Sequence, residues 1–223
     1  MSTLTGTDAA GTPPTPTNPY RPDGRTMRER MEAGEAYIAL DPELGELSTR
    51  AQLLTERYNA SSITDRTQRR RILKELLGHA GEDIEIRPPF HVDYGRCISI
   101  GARTFANFGF TVLDIAPVRI GADCQFGPHV QLLTATHPLA AGPRRDKWEG
   151  SAPITIEDNV WLGGGVIVGP GVTIGENSVI GAGAVVVKNV PAHSVAAGVP
   201  ARVIKDLPAD PDDGWSTPAE IGG

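Results

Sequence analysis

Aromatic residues are scarce in this chain: Phe, Trp and Tyr together make up 5% of 223 residues. A core cannot then draw its bulk from large rings, and small aliphatic side chains must fill it. Cysteine is scarcer still. Cys97 and Cys124 are the only two, too few for a disulfide framework and without metal-site spacing. They read as reduced, buried small side chains, which goes with a cytoplasmic location. Basic charge is not in excess: 21 Lys and Arg stand against 27 Asp and Glu, a net charge of −6. That balance argues against nucleic acid or an anionic membrane as the main partner. No run of 18 apolar residues occurs, so no transmembrane helix is expected. The opening MSTLTGTDAAGTPPTPTNPY has neither the basic nor the apolar part of a secretory signal.

Glycine and proline are abundant, with 26 and 19 copies, about a fifth of the chain against a usual ~12%. They are segregated. Five prolines lie in residues 1–22, a Thr/Pro/Gly-rich stretch with little to bury. It is expected to be a disordered extension, and residues 207–223 a flexible tail. Sixteen glycines lie between Gly95 and Gly198, among many Val and Ile. The two enrichments have different causes.

Residues 23–90 read as a helical segment. Leu44, Leu47, Ala51, Leu54 and Tyr58 recur at helical spacing and make one apolar stripe. Asp41 suits the N-cap and Pro42 the first helical position. A second helix is predicted from Asp65, with Gln68 as capping partner, Ile72, Leu73, Leu76 and Leu77 as its buried face and Gly78 as its end. Arg69, Arg70 and Arg71 read as a solvated helix face rather than a phosphate site.

The period then changes. Ile156, Leu162, Val168, Ile174, Ile180 and Val186 stand six apart, and Gly163, Gly169, Gly175 and Gly181 follow four of them. A parallel row, two residues earlier, runs Ile154, Val160, Val166, Val172, Ser178, Ala184. Upstream are Ile100, Ala106 and Val112, then Ile120, Phe126 and Leu132 after a slip of two. Six fits neither a helix nor an alternating strand. It fits a mainly β chain wound as a hexapeptide β-helix over residues 91–206. Three hexapeptides close a triangular coil, and residues 18 apart stack at about the 4.8 Å strand spacing. Glycine is expected to allow the tight corners, and branched aliphatics to fill an interior too narrow for aromatics. The repeat breaks once, at residues 134–152, a polar loop that is a functional candidate.

Hexapeptide coils serve acyltransferases, one class of carbonic anhydrase and structural proteins, so the fold does not choose. A zinc site needs three histidines on adjacent coil faces. His79 is read as helical, His91 as preceding the coil and His193 as lying beyond it; with His129 and His137 no trio has suitable spacing, and no metal is expected.

Several segments together resemble one family. They are Met27-Arg28-Glu29-Arg30-Met31 with Ala33-Gly34-Glu35, Tyr37 and Asp41-Pro42, then Asp93-Tyr94-Gly95, Phe105-Ala106-Asn107-Phe108 and Leu113-Asp114. Pro117-Val118-Arg119-Ile120-Gly121, Thr134-Ala135-Thr136-His137-Pro138, Asn159-Val160-Trp161-Leu162-Gly163-Gly164 and Ala197–Ile204 complete the set. Over residues 25–206 the chain resembles the maltose and galactoside O-acetyltransferases. The resemblance implies a left-handed parallel β-helix, a homotrimer with sites between subunits, and acetyl transfer from acetyl-CoA to a sugar hydroxyl. Other hydroxyl acceptors, such as a nodulation-type oligosaccharide or an antibiotic, stay open, as does a non-catalytic hexapeptide scaffold.

The resemblance also implies roles. His137 matches the catalytic histidine, a base for the hydroxyl and then an acid for the departing thiolate. Glu149 matches a glutamate that would orient it, or is a rim carboxylate; the Tyr usual after it is Gly150 here. Asn107 matches the asparagine at the reacting centre, near both acetyl donor and acceptor. Asp93 matches an acceptor-pocket position and Asp41 does so more loosely. Asp114 is either a substrate-side acid or structural, and Ile115 after it leans toward the maltose-type branch. Gly164 matches an oxyanion N–H donor, or is a coil corner. Coenzyme A contacts fall on Gly164, Ala182, Val187, Lys188, Arg202 and Lys205, with Val187 in place of the usual Thr and Lys205 of an Arg. Trp161 either walls the site or packs between subunits.

Overall fold

The computed structural model describes residues 23–208. The 1–22 extension lies outside them, as does the tail from residue 209 onward.

The helical segment follows its caps. α1 (Met27–Glu32) starts on a reciprocal box between Thr26 and Glu29, and leads to the short strand β1 (Tyr37–Ile38). α2 (Pro42–Asn59) starts where predicted: the Asp41 carboxylate accepts from the N–H of Glu43 and Leu44. α3 (Arg66–Leu76) starts on Asp65, which accepts from Gln68 N–H. Its Ile72, Leu73 and Leu76 are buried, with Leu77 just beyond.

The rest is a parallel β-solenoid of about six turns with three faces. The first face stacks β2 (His79–Ala80), β5 (Ile98–Ile100), β8 (Val118–Ile120), β13 (Ile154–Ile156) and β16 (Thr173–Ile174). The second stacks β3 (Glu85–Ile86), β6 (Phe105–Ala106), β9 (Gln125–Phe126), β14 (Trp161–Leu162), β17 (Val179–Ile180) and β19 (Ser194–Ala197). There β20 (Arg202–Asp206) folds back antiparallel on β19. The third stacks β4 (Phe90–Val92), β7 (Phe110–Leu113), β10 (Gln131–Leu133), β15 (Ile167–Val168) and β18 (Val185–Val186). The register is the one the six-residue row predicts. Ile156 pairs with Ile174, Leu162 with Ile180 and Val168 with Val186.

The interruption is itself structured. It contains β11 (Ala135–Thr136), α4 (Ala141–Arg145) and β12 (Trp148–Ser151). β12 lies antiparallel between β11 and the distant β1.

Four expectations change. The solenoid begins at His79, inside the stretch read as helical, and His79 and His91 are both strand residues. Ala80, Ile86 and Val92 are the missing first coil; they stack under Ile100, Ala106 and Val112. A small Ala at its start and an eight-residue step from Val92 to Ile100 hide that row. Aromatics do enter the interior: Phe90, Phe110 and Phe126 are buried with ring centroids 5.5 Å apart at each step. One ring per coil lies along the interior, the first pair stacked and the second tilted, so width is not limiting. The repeated glycines serve close approach more than corner freedom. A Cβ on Gly163 would stand 2.6 Å from Ala182 N, and one on Gly175 2.3 Å from Ala192 N. Several left-handed corners are instead held by Asp83, Arg103, Asp123, Asn159, Asn177 and His193, of which Asp, Asn and His tolerate that region best. Finally, Arg69 is buried, not solvated.

Arg69 helps close the first coil. Its guanidinium donates to Ile86 O at 2.8 Å and to Tyr58 Oη at 2.8 Å, while Tyr58 Oη donates to Ile86 O at 2.6 Å. Asn59 donates to Phe90 O and accepts from Phe90 N–H, both at 2.9 Å. The exposed edge of a sheet needs such partners, and α2 and α3 supply them. Arg70 and Arg71 keep the solvated reading, Arg70 pairing with Asp83 at 2.6 Å.

Candidate active site

The interruption leaves the solenoid at the corner between the third and first faces. Asp114 and Asp93 lie at the same corner, one and two coils below respectively. Asp114 has no solvent exposure. Its Oδ1 accepts from the N–H of Asp93 and Tyr94, and Oδ2 from that of Cys97, at 2.9–3.2 Å. That is the structural of its two readings: the carboxylate shapes the turn that presents Asp93. Asp93 is half-buried. Burial first, then the Asp114 and Glu149 carboxylates, push its own carboxyl up to about 6.

His137 follows β11 directly and is exposed. Ala135 pairs with Ser151 and Thr136 with Gly150. The β11–β12 pairing ends at Thr136 and Gly150; His137 and Glu149 are the residues next beyond it. On the other side of β12, Glu149 pairs directly with Tyr37, whose hydroxyl donates to Glu149 Oε2 at 2.9 Å. Residues directly opposite in an antiparallel sheet share a face. Sequence reading named His137 and Glu149 but gave Tyr37 no role; its partner lies 112 residues away, beyond the reach of any local pattern. Asp41 caps α2 nearby: Leu44, three residues on, packs with Tyr37, Tyr94 and Ile115.

A second group occupies another corner, between the second and third faces. Asn107 follows β6, and its Oδ1 accepts from Phe108 N–H at 2.9 Å. Phe108 is exposed, and Arg87 lies 5.1 and 5.3 Å from the Phe105 and Phe108 rings, a neighbour of Asn107 that sequence reading missed. Gly164 and Ala182 sit further along this edge. A Cβ on Gly164 would meet nothing nearer than Pro128 at 3.3 Å, and Gly183 beyond it is in open space. The edge is therefore a shallow track of small residues. Val187 and Lys188 are exposed at the third-to-first corner after β18, and Arg202 and Lys205 are exposed on β20. Trp161 points outward from the second face, 45% exposed. One chain thus splits the expected site: His137, Glu149 and Asp93 on one edge, Asn107, Gly164 and Ala182 on another.

Among the described residues, no group of three or more His, Cys, Asp or Glu is placed to hold a metal ion, and no helix is long and apolar enough to cross a membrane. Cys97 and Cys124 are free thiols, the second fully buried.

A three-faced hexapeptide solenoid with a helical cap and a histidine-bearing loop is the architecture of a hexapeptide-repeat acetyltransferase. Residues 30–81 match the maltose acetyltransferase hexapeptide capping motif, and residues 153–188 match the bacterial transferase hexapeptide family of six repeats. The chain is 45% identical over 179 residues to nodulation protein L of Rhizobium meliloti, covering 80% of this chain and 98% of that one. The solved maltose O-acetyltransferase from Clostridium difficile superposes with a TM-score of 0.82 at 40% identity, covering 83% of this chain and 100% of the other. A galactoside acetyltransferase in complex with coenzyme A gives 0.79 at 36% identity, covering 86% and 100%. The chain belongs to the maltose and galactoside O-acetyltransferase family, and it is an acetyltransferase of the hexapeptide class.

Proposed function

We propose that the protein moves the acetyl group of acetyl-CoA onto a hydroxyl of a sugar in one direct transfer, with His137 as general base. The observation that supports this reading is the register of the insert, in which an exposed His137 and Glu149 are the residues next beyond the Thr136–Gly150 pair. A sugar hydroxyl is a poor nucleophile near neutral pH. His137 takes its proton as the oxygen attacks the thioester carbon, then returns that proton to the departing sulfur. Glu149 orients the ring and favours its charged form during the transfer. Asp93, and Asp41 at the rim, accept hydrogen bonds from the other acceptor hydroxyls.

Asn107 and the Gly164 N–H serve the thioester end, where negative charge develops on the carbonyl oxygen. The small-residue track of Gly164 and Ala182 suits the slim pantetheine arm, and Val187 offers backbone only. Lys188, Arg202 and Lys205 meet the phosphates. His137 and Asn107 lie on different edges of one solenoid, which supports a homotrimer with each site between two subunits. A mixture of His137→Ala and Asn107→Ala subunits, unfolded and refolded together, should regain activity well above either parent. No regain would place both residues in one chain's site.

A second reading differs in the acceptor alone, a nodulation-type oligosaccharide in place of a small sugar; the likeness to nodulation protein L is what keeps it in view. Thiol release from acetyl-CoA, measured over a panel of sugars and oligosaccharides, separates the two. In the same assay His137→Ala should lower turnover by at least about 10²-fold, as for other general bases. Equal rates would remove His137 from the mechanism.

A further inference from the structure

We infer that Tyr37 is a positioning residue for acetyl transfer: its hydroxyl holds the Glu149 carboxylate in the orientation that serves His137. This rests on the reading of His137 as the base. Tyr37 and Glu149 are directly paired in the antiparallel sheet β1–β12–β11, and His137 is one register step past the last paired residue of β11. The Tyr37 hydroxyl takes up one Glu149 oxygen at 2.9 Å, which leaves Oε1 for the imidazole.

Tyr37 is itself immobilised. It is fully buried in a small cluster with Met31, Leu44, Tyr94 and Ile115. The next pair in the sheet, Ile38 with Trp148, is braced by the Arg30 guanidinium, 5.3 Å from the Trp148 ring centroid. Burial and the Glu149 charge hold the phenol far above its usual range, so it stays a proton donor at any working pH and cannot act as a base. A carboxylate with one oxygen fixed has fewer orientations to lose when the imidazole becomes charged. The helical cap thereby reaches the reacting centre through one hydroxyl.

The test is a double-mutant cycle on the whole enzyme, with melting temperatures recorded for each variant. Tyr37→Phe keeps the ring and removes the hydroxyl. It should lower kcat about tenfold, roughly 1.4 kcal/mol in the barrier, with KM for both substrates unchanged. Glu149→Gln should lower kcat by as much or more, and adding Tyr37→Phe to it should cost nothing further. A Tyr37→Phe enzyme with full kcat, or losses that multiply in the double variant, would overturn the positioning role. His137→Ala is run alongside: loss of turnover there with an unaffected Tyr37→Phe sinks only this inference. An unaffected His137→Ala sinks the reading beneath it.

Discussion

The solenoid and its insert are both paired backbone to backbone, but they differ in what else fixes them. In the solenoid, coils touch backbone to backbone, and glycine after an inward residue lets them approach. Gly127 would place a Cβ 2.5 Å from Gly164 N, and Gly163 one 2.6 Å from Ala182 N. In the insert, β11 and β12 pair with each other and with the distant β1 through the backbone too, but particular side chains add to it: Tyr37 on Glu149, Arg30 over Trp148. Gly150 there faces only the Thr136 hydroxyl, at 3.0 Å. One region is fixed by repetition, and where its coils press together, as at Gly127, Gly163 and Gly175, there is no space for an added atom. The other is fixed by particular partners and has room to change, as suits a loop that carries function.

Three substitutions sharpen or break this contrast. Gly175→Ala should have the largest effect. Its methyl would lie 2.3 Å from the Ala192 backbone nitrogen, so a coil must move; we expect a loss of about 3 kcal/mol, seen as a fall in Tm of roughly 6–12 °C. Asp93→Asn should act in the other direction. The folded carboxyl titrates at about 6 from an ordinary 3.8, so the folded state binds more protons between those values. Stability therefore falls as pH rises from about 4 to 6. The Asn variant should melt about 2–4 °C above wild type at pH 7.5, with the gap closing near pH 3.5, while acceptor KM rises. A gap independent of pH would contradict the crowding of carboxylates. Gly150→Ala should be mildest, within about 1 kcal/mol, because a hydroxyl can rotate away. A cost equal to that of Gly175→Ala would erase the distinction between the two regions.

The same contrast explains what was legible in the sequence. The row from Ile156 to Val186 gave three faces and their register, because a repeat states its own pairing. Asp41 and Asp65 were legible as caps since a cap and its N–H partners are adjacent. His137 stood out because its loop breaks the period. Tyr37 beside Glu149, and Arg69 on Ile86 O, were not legible: each joins segments with no common pattern, and the energy lies in a single long-range bond. The Phe90, Phe110 and Phe126 ladder escaped because few aromatics in the chain does not mean few in one place. Asp114 was half legible; only its three N–H partners tell a buried turn acid from a ligand.

A parallel solenoid is by nature unfinished at both ends, since its last coil offers another chain the template it offered itself. Here Tyr58, Asn59 and Arg69 occupy the first coil's carbonyls and amide. At the far end β20 runs the wrong way for a seventh coil and carries Arg202, Lys205 and Asp206 on an exposed strand. The chain thus ends its own template at both poles. End-to-end growth into a fibre is thereby discouraged, in keeping with the proposal that copies meet side by side along the edges where His137 and Asn107 stand.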